Sequence, residues 1–193
     1  MSKRIAFLSA AALGALALTA AVVAPVSAQD KMTKSEMSGE KTVMVGGAAM
    51  FPSKNIVQNA VNSKDHTTLV AAVKAAGLVN TLEGKGPFTV FAPTNAAFAK
   101  LPAGTVDTLV KPENKTTLTK ILTYHVVAGK LEASDLTDGK KLKTVQGEEL
   151  TVKRSGDAVT IIDSKGDSST VTIPNVNQSN GVIHVVDTVL MPS

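Results

Sequence analysis

The sequence contains no cysteine and no tryptophan, and aromatic residues make up only 3% of its 193 residues. Without cysteine the protein has no disulfides, no thiolate metal site, no thiol nucleophile and no lipid anchor attached through a cysteine. So few aromatic rings offer little stacking surface for nucleic-acid bases or sugars. These absences exclude several classes of function, and the stability of the fold must come from its apolar core.

An excess of charge of one sign is also lacking. The chain has 20 Lys and Arg against 16 Asp and Glu, and Lys140–Lys141 is typical of its short basic runs. Such a balance gives no support to nucleic acid as a partner, which a basic patch or stripe would favour.

The first 28 residues are typical of a signal peptide. Lys3 and Arg4 supply a positive start, Ile5–Val23 is almost uninterrupted apolar sequence, and Val26–Ala28 forms a small-x-small cleavage site. An uncleaved membrane anchor is the alternative, because the run approaches the ~20 residues that span a bilayer. We predict cleavage after Ala28, which would leave a secreted or periplasmic protein without membrane insertion.

Residues 29–45 are polar and lack periodicity, which predicts a flexible spacer, and residues 46–193 are long enough for one folded domain. Thioether groups are soft ligands for copper, and four methionines lie in or near the spacer. Their spacing is loose and no histidine lies among them, so we predict no metal and no cofactor. These four residues are Met32, Met37, Met44 and Met50.

The hydrophobic pattern is helical from Asn55 and becomes β-like after Gly129. Helices are predicted over 55–62, after the capping segment 63–65, from Thr94 or Asn95, and over 113–123. Helices that precede most of the strands predict the α+β class. The predicted strands are 88–92, 124–127, 141–145, 149–154, 158–163, 170–173 and 182–190.

Three ordered segments together resemble the fasciclin domain family. Phe88–Phe98 resembles the first family signature, Asn180–Leu190 resembles the second, and Leu122–Val127 is similar to the central Tyr-His element. The resemblance covers roughly residues 55–192 and is strongest to single-domain exported bacterial members. It implies a β-wedge of two small sheets set at an angle, with several helices packed around them.

The two family signatures have plain structural explanations. Pro93 ends a buried strand and Thr94 or Asn95 caps the next helix, whereas Asn180–Gly181 offers a turn suited to positive φ. We therefore predict structural roles for the motif residues Phe91, Pro93, Thr94, Asn95, Phe98, Asn180, Gly181 and His184.

The resemblance implies adhesion: contact with a cell-surface or matrix protein or polysaccharide. In animal relatives, integrin binding is linked to the Tyr-His element, here Tyr124 and His125, and to an acidic motif before the second signature. This sequence has Asn175 where that motif has a carboxylate, which weakens an integrin role. Tyr124, His125 and Asn175 are the candidate interaction residues, although buried packing is the alternative for the first two.

Catalysis finds little support in the sequence. No serine lies in a Gly-x-Ser-x-Gly elbow, and no His-Glu-x-x-His pattern is present. His125 and His184 fall in apolar segments, which favours structural roles, and His66 is predicted at the surface or as a cap. We expect no catalytic residues. Two alternatives stay open: a carrier of a small apolar ligand held between wedge and helices, and a hydrolase.

Overall fold

The computed structural model describes residues 41–193. The predicted signal peptide and residues 29–40 of the predicted spacer lie outside this part of the chain. Strand β1 (Val43–Val45) pairs antiparallel with β2 (Ala48–Met50), and Val45 and Met50 are each only 3% exposed. The folded part therefore includes residues 43–45, which the sequence pattern assigns to the spacer.

The helices lie mostly in the first half of the described chain, and their ends follow local sequence signals. Asn55 accepts a hydrogen bond from the backbone N–H of Gln58 (2.8 Å) while Gln58 bonds back to the N–H of Asn55 (3.0 Å), which forms a capping box. Gly77 ends α2 with φ 74°. The α-helices are α1 (Ile56–Ala60), α2 (Thr67–Ala76), α3 (Val79–Leu82), α4 (Asn95–Ala99), α5 (Thr105–Leu109) and α6 (Lys115–Tyr124), with 3-10 turns at Lys64–His66 and Pro112–Asn114.

The remaining strands form one sheet in the order β4-β3-β9-β8-β7-β6-β5. The two family signatures are neighbours in it, because β3 pairs parallel with β9 and places Phe91 beside His184. The other pairs are antiparallel. The bounds are β3 (Phe88–Pro93), β4 (Val126–Ala128), β5 (Lys141–Lys143), β6 (Glu149–Ser155), β7 (Ala158–Ile162), β8 (Ser168–Gln178) and β9 (Gly181–Val186).

Strand β8 turns this sheet into a wedge. Its first residues pair with β7 (Thr160 opposite Thr170), and its later residues pair with β9 (Val176 opposite Ile183). Within the pairing with β9 the register shifts between Val171 and Val176, and such irregularities bend a strand. β8 is therefore shared by two half-sheets. The predicted α+β wedge is confirmed.

Alternation along the central strands divides the interior into two cores. In β3, Val90 and Ala92 pack into a core under the helices, whereas Phe91 points into a second core enclosed by the half-sheets. Tyr124 from the end of α6 also enters this second core. Both faces of β3 are thus buried, which explains its continuous apolar sequence.

Several predicted strands have other bounds in the structure; the strand predicted over 170–173, for example, is observed as β8 over Ser168–Gln178. The pattern predicts a strand over 124–127, but α6 continues to Tyr124, His125 caps it, and β4 starts at Val126. The backbone N–H of His125 still bonds to the carbonyl of Leu122 at 3.1 Å, so the helical path persists to this residue. The last strand ends at Val186 rather than at 190.

Candidate functional site

The first signature segment links β3 to α4 and then ties α4 to α2. Thr94 caps α4, because its Oγ1 accepts from the N–H of Ala97 at 3.2 Å, as predicted. Asn95 has a different role: its Oδ1 accepts from the N–H of Thr68 (3.0 Å) and its Nδ2 donates to the carbonyl of Lys64 (2.8 Å). The Asn95 side chain therefore supplies hydrogen-bond partners to backbone groups at the start of α2. Pro93 and Phe98 are buried.

Asn180 in the second signature connects three parts of the chain. Its Oδ1 accepts from the N–H of Ile56 (3.1 Å), and its Nδ2 donates to the carbonyls of Leu82 (2.7 Å) and Gly84 (2.9 Å). It is 7% exposed, so these partners replace water. The side chain fixes α1 and the end of α3 against the start of β9.

The predicted positive φ at Asn180–Gly181 is wrong, because neither residue is among those with positive φ. Glycine is required at position 181 for a different reason. A Cβ there would collide with the backbone carbonyl of Phe88 on the neighbouring parallel strand. Close approach of two strands therefore excludes every other residue.

His125 has both ring nitrogens occupied by the backbone. Its side chain is 2% exposed; Nδ1–H donates to the carbonyl of Ile121 (2.8 Å), and Nε2 accepts from the N–H of Leu190 (3.0 Å). This pattern requires the neutral ring with its proton on Nδ1. Burial lowers the pKa of His125 to about 4. The side chain joins α6 to the end of the described chain.

Tyr124 is fully buried beside it. Its hydroxyl accepts from the N–H of Ser164 (2.8 Å) and lies 3.4 Å from the carbonyl of Glu149, to which it donates. Burial raises the pKa of Tyr124. Neither Tyr124 nor His125 reaches the surface of the folded domain, so the alternative of buried packing describes their surroundings.

Asn175 lies at the irregularity in β8, where its φ of 56° is the one positive value of a non-glycine residue among residues 41–193. Asparagine tolerates this conformation better than most residues. Its Oδ1 accepts from the N–H of Ala133 at 2.7 Å, in the segment after β4. Asn175 is half-buried and fastens this segment to the sheet.

His184 holds the same segment from inside. It is fully buried and stacks on Phe91, with ring centroids 5.7 Å apart. Its Nε2–H donates to the carbonyl of Leu131 (2.8 Å), and its Nδ1 lies 3.4 Å from the N–H of Asn175. Burial lowers the pKa of His184. The fold thus brings His184, Phe91 and Asn175 together, whereas His125 and Tyr124 bond to other partners.

His66 differs from its prediction as a surface or capping residue. It is only 4% exposed and makes no side-chain cap at the start of α2. Its Nδ1 lies 2.9 Å from Oγ of Ser63, but its buried Nε2 has no hydrogen-bond partner among the described residues. It lies in the wall of a cavity of about 80 Å³ between the helices and the sheet. The sequence carries no signal of this burial, because the charged neighbours Lys64 and Asp65 favour an exposed position for His66.

The described residues contain neither a metal-binding cluster nor a membrane-spanning helix. Within residues 41–193, no group of three or more His, Asp or Glu side chains has a spacing suited to a metal ion. No helix in this range has the length and hydrophobicity needed to cross a bilayer.

The fold defines the class of protein: an α+β wedge domain whose signature side chains hold its parts together. The chain belongs to the fasciclin domain family, since the fasciclin domain model matches residues 64–192. The solved structure of a FAS1 domain pair from the insect cell adhesion molecule fasciclin I is similar in fold, with a TM-score of 0.65 and 18% identity over 79% of this chain and 58% of that chain.

Several bacterial proteins are similar along most of the sequence. Protein sll1483 of Synechocystis is 50% identical over 153 residues, which cover 79% of this chain and 82% of the relative. Immunogenic protein MPB70 of Mycobacterium bovis is 36% identical over 195 aligned positions, which cover 97% of this chain and 96% of the relative. Cell surface glycolipoprotein MPB83 of the same species is 40% identical over 153 residues, which cover 77% of this chain and 64% of the relative.

Proposed function

We propose that this protein is exported and acts outside the cytoplasm by surface contact, as an adhesion or surface-interaction domain that performs no chemistry. Membership of the fasciclin domain family is the observation that carries the proposal. Two similar proteins, a cell surface glycolipoprotein and an insect cell adhesion molecule, support the same kind of role by their names. The partner would be a protein or polysaccharide of a cell surface or matrix.

The state of the two motif histidines supports a non-catalytic role. A general base needs an accessible nitrogen that gains a proton near the working pH. His125 has both nitrogens bonded to backbone groups, and His184 donates to Leu131 and faces the N–H of Asn175. Burial also lowers the pKa of both rings. These side chains are suited to holding the fold.

The contact residues have to be sought on the exposed surface rather than at Tyr124 and His125. Exposed apolar side chains occur at Met44 (60%), Val61 (48%) and Val145 (45%). Single apolar residues are normal on protein surfaces and do not define an interface by themselves. Met44 and Val61 are nevertheless suitable positions for charged substitutions that test contact without disturbing the core.

The test uses beads coated with the purified chain at graded densities and mixed with envelope fragments of the producing cells. Weak contacts of single domains add up only when many are presented together, so retention should rise steeply with density. Soluble chain should compete. Met44→Lys and Val61→Lys scan the exposed surface away from the core, and Tyr124→Phe is the buried control that should retain fragments normally. Retention that soluble chain fails to reduce at every density would reject the contact role.

Export has its own measurement. Protein purified from the medium or periplasm should begin at Gln29, which mass spectrometry of the intact chain determines. A chain that keeps Met1 and sediments with membranes would instead support the uncleaved anchor.

The hydrolase alternative is tested with generic esters. We expect no turnover above that of a heat-treated sample. Turnover that is lost in His125→Gln or His184→Gln, while each variant stays folded, would overturn the non-catalytic proposal.

A further inference from the structure

The cavity between the helices and the sheet has a wall that is almost entirely apolar. Its volume is about 80 Å³, and it is lined by side chains from α1, α2, α3, β3 and β9, including Ile56, Leu69, Val73 and Ile183. Packed interiors contain few voids larger than a water molecule. Water gains nothing in a space without polar partners, so an apolar molecule is the suited occupant.

The cavity is accessible from the surface. Its lining includes the half-buried Val70 and the exposed Lys74 and Val145. For comparison, an engineered closed cavity of about 150 Å³ binds benzene. A space of about half that volume with an open side fits a short aliphatic chain that enters from the surface.

His66 lies in this wall, and one of its two ring nitrogens lacks a hydrogen-bond partner. Nε2 of His66 is buried without a hydrogen bond, whereas Nδ1 lies 2.9 Å from Oγ of Ser63. The carbonyl of Ala92 and the carboxylate of Asp65 lie near enough to favour the protonated ring, but the Ala92 oxygen does not meet hydrogen-bond geometry with Nε2. Burial outweighs both and lowers the pKa of His66, so the ring is neutral.

A buried polar atom without a partner is costly, and a ligand that pairs with it recovers that cost. A neutral imidazole nitrogen either donates or accepts, depending on the tautomer. A hydroxyl group suits both cases, because it donates and accepts. A carboxylate suits them less well, since the surrounding apolar wall disfavours charge.

We propose that this cavity is a binding site for a small aliphatic alcohol, whose carbon chain occupies the apolar space and whose hydroxyl pairs with Nε2 of His66. The site is separate from the surface-contact role and does not depend on it. The occupant is recognised by one hydrogen bond at a fixed place in an otherwise apolar wall.

The experiment compares 1-hexanol with 1-chlorohexane, which has the same carbon chain but no hydroxyl. Both are titrated into the full chain as exported, followed by NMR of the methyl groups and of the histidine ring nitrogens. The alcohol should shift the methyl signals of Leu69, Val73 and Ile183 and the Nε2 signal of His66. It should bind about five- to tenfold more tightly than the chloride, the ratio expected for one hydrogen bond. Methyls of the second core, such as Leu150, should not move.

Three variants separate the role of His66 from that of the apolar space. His66→Leu removes the polar atom at similar volume, so both ligands should bind equally. Ser63→Ala keeps the imidazole and should retain the preference for the alcohol. Ala60→Leu fills part of the cavity and should weaken both ligands together.

The proposal is overturned if the alcohol and the chloride bind equally to the unmodified chain, or if the preference persists in His66→Leu. It is also overturned if saturating alcohol leaves the lining methyls unmoved. Should His66→Leu fail to fold, the Nε2 signal decides, because the proposal requires it to move with the alcohol and not with the chloride.

Discussion

Acid should destabilise this protein through His125 before its carboxylates are protonated. The unfolded histidine binds a proton below about pH 6.5, whereas the folded ring stays neutral until about pH 4 because it is buried. Between these values the unfolded state holds the extra proton, so the free energy of unfolding falls as the pH is lowered. The full loss across this window is roughly 3 kcal/mol, and nothing is lost above it.

The expected loss at intermediate pH follows from the same two pKa values. Lowering the pH from 7 to 5.5 should remove about 1.3 kcal/mol through His125, and lowering it to 4.5 roughly 2.4 kcal/mol. Burial also lowers the pKa of His66 and His184, so all three rings contribute with the same sign. The unmodified protein should therefore lose more than His125 alone accounts for.

His125→Gln isolates the contribution of this ring. The glutamine amide can donate to the carbonyl of Ile121 and accept from the N–H of Leu190 but has no proton to gain. Urea unfolding at pH 7, 5.5 and 4.5 measures both proteins, and the difference between them should shrink by about 2 kcal/mol towards pH 4.5. Two curves with the same pH dependence would refute the buried neutral state of His125.

Three substitutions test the structural roles of other residues through the free energy of unfolding. Asn180→Ala should cost about 3 kcal/mol, because it leaves two buried backbone groups and one half-buried backbone group without their partner. The exposed control Asn80→Ala should change stability by less than about 0.5 kcal/mol. Gly181→Ala should cost more than about 3 kcal/mol or prevent folding, since its methyl meets the carbonyl of Phe88; a near-neutral result would contradict the close approach. Tyr124→Phe should cost about 1 to 2 kcal/mol through the lost bond to the Ser164 N–H, and unchanged stability would contradict that bond.

Local signals in the sequence predicted most of the elements correctly. The cap at Thr94 and the start of a helix after Asn55 depend on neighbouring residues alone, whereas the predicted capping segment 63–65 makes no side-chain cap. The strand Phe88–Ala92 also follows from a continuous apolar run ended by proline. The order of these motifs was enough to indicate the family and the α+β class.

The roles of other motif residues depend on partners that are distant in the chain, so no local sequence pattern predicts them. Asn180 bonds to positions 98 and 124 residues away, and Asn95 makes hydrogen bonds to the start of a helix that begins 28 residues before it. Glycine at 181 is required by the backbone of a parallel strand, not by a turn. Sequence alone assigned turn or capping roles to these residues because those are the uses that neighbouring residues reveal.

The sequence by itself thus determined the helix cap at Thr94, the apolar strands, the absence of disulfides and the family. Only the tertiary structure decided which polar side chains are buried and what they bond to. The sequence makes His125 and Tyr124 candidates for contact and predicts His66 at the surface or as a cap, but all three side chains are buried in the fold. Burial is a property of the packed chain: it depends on which elements meet, and the same side chain is a surface group or a core group accordingly.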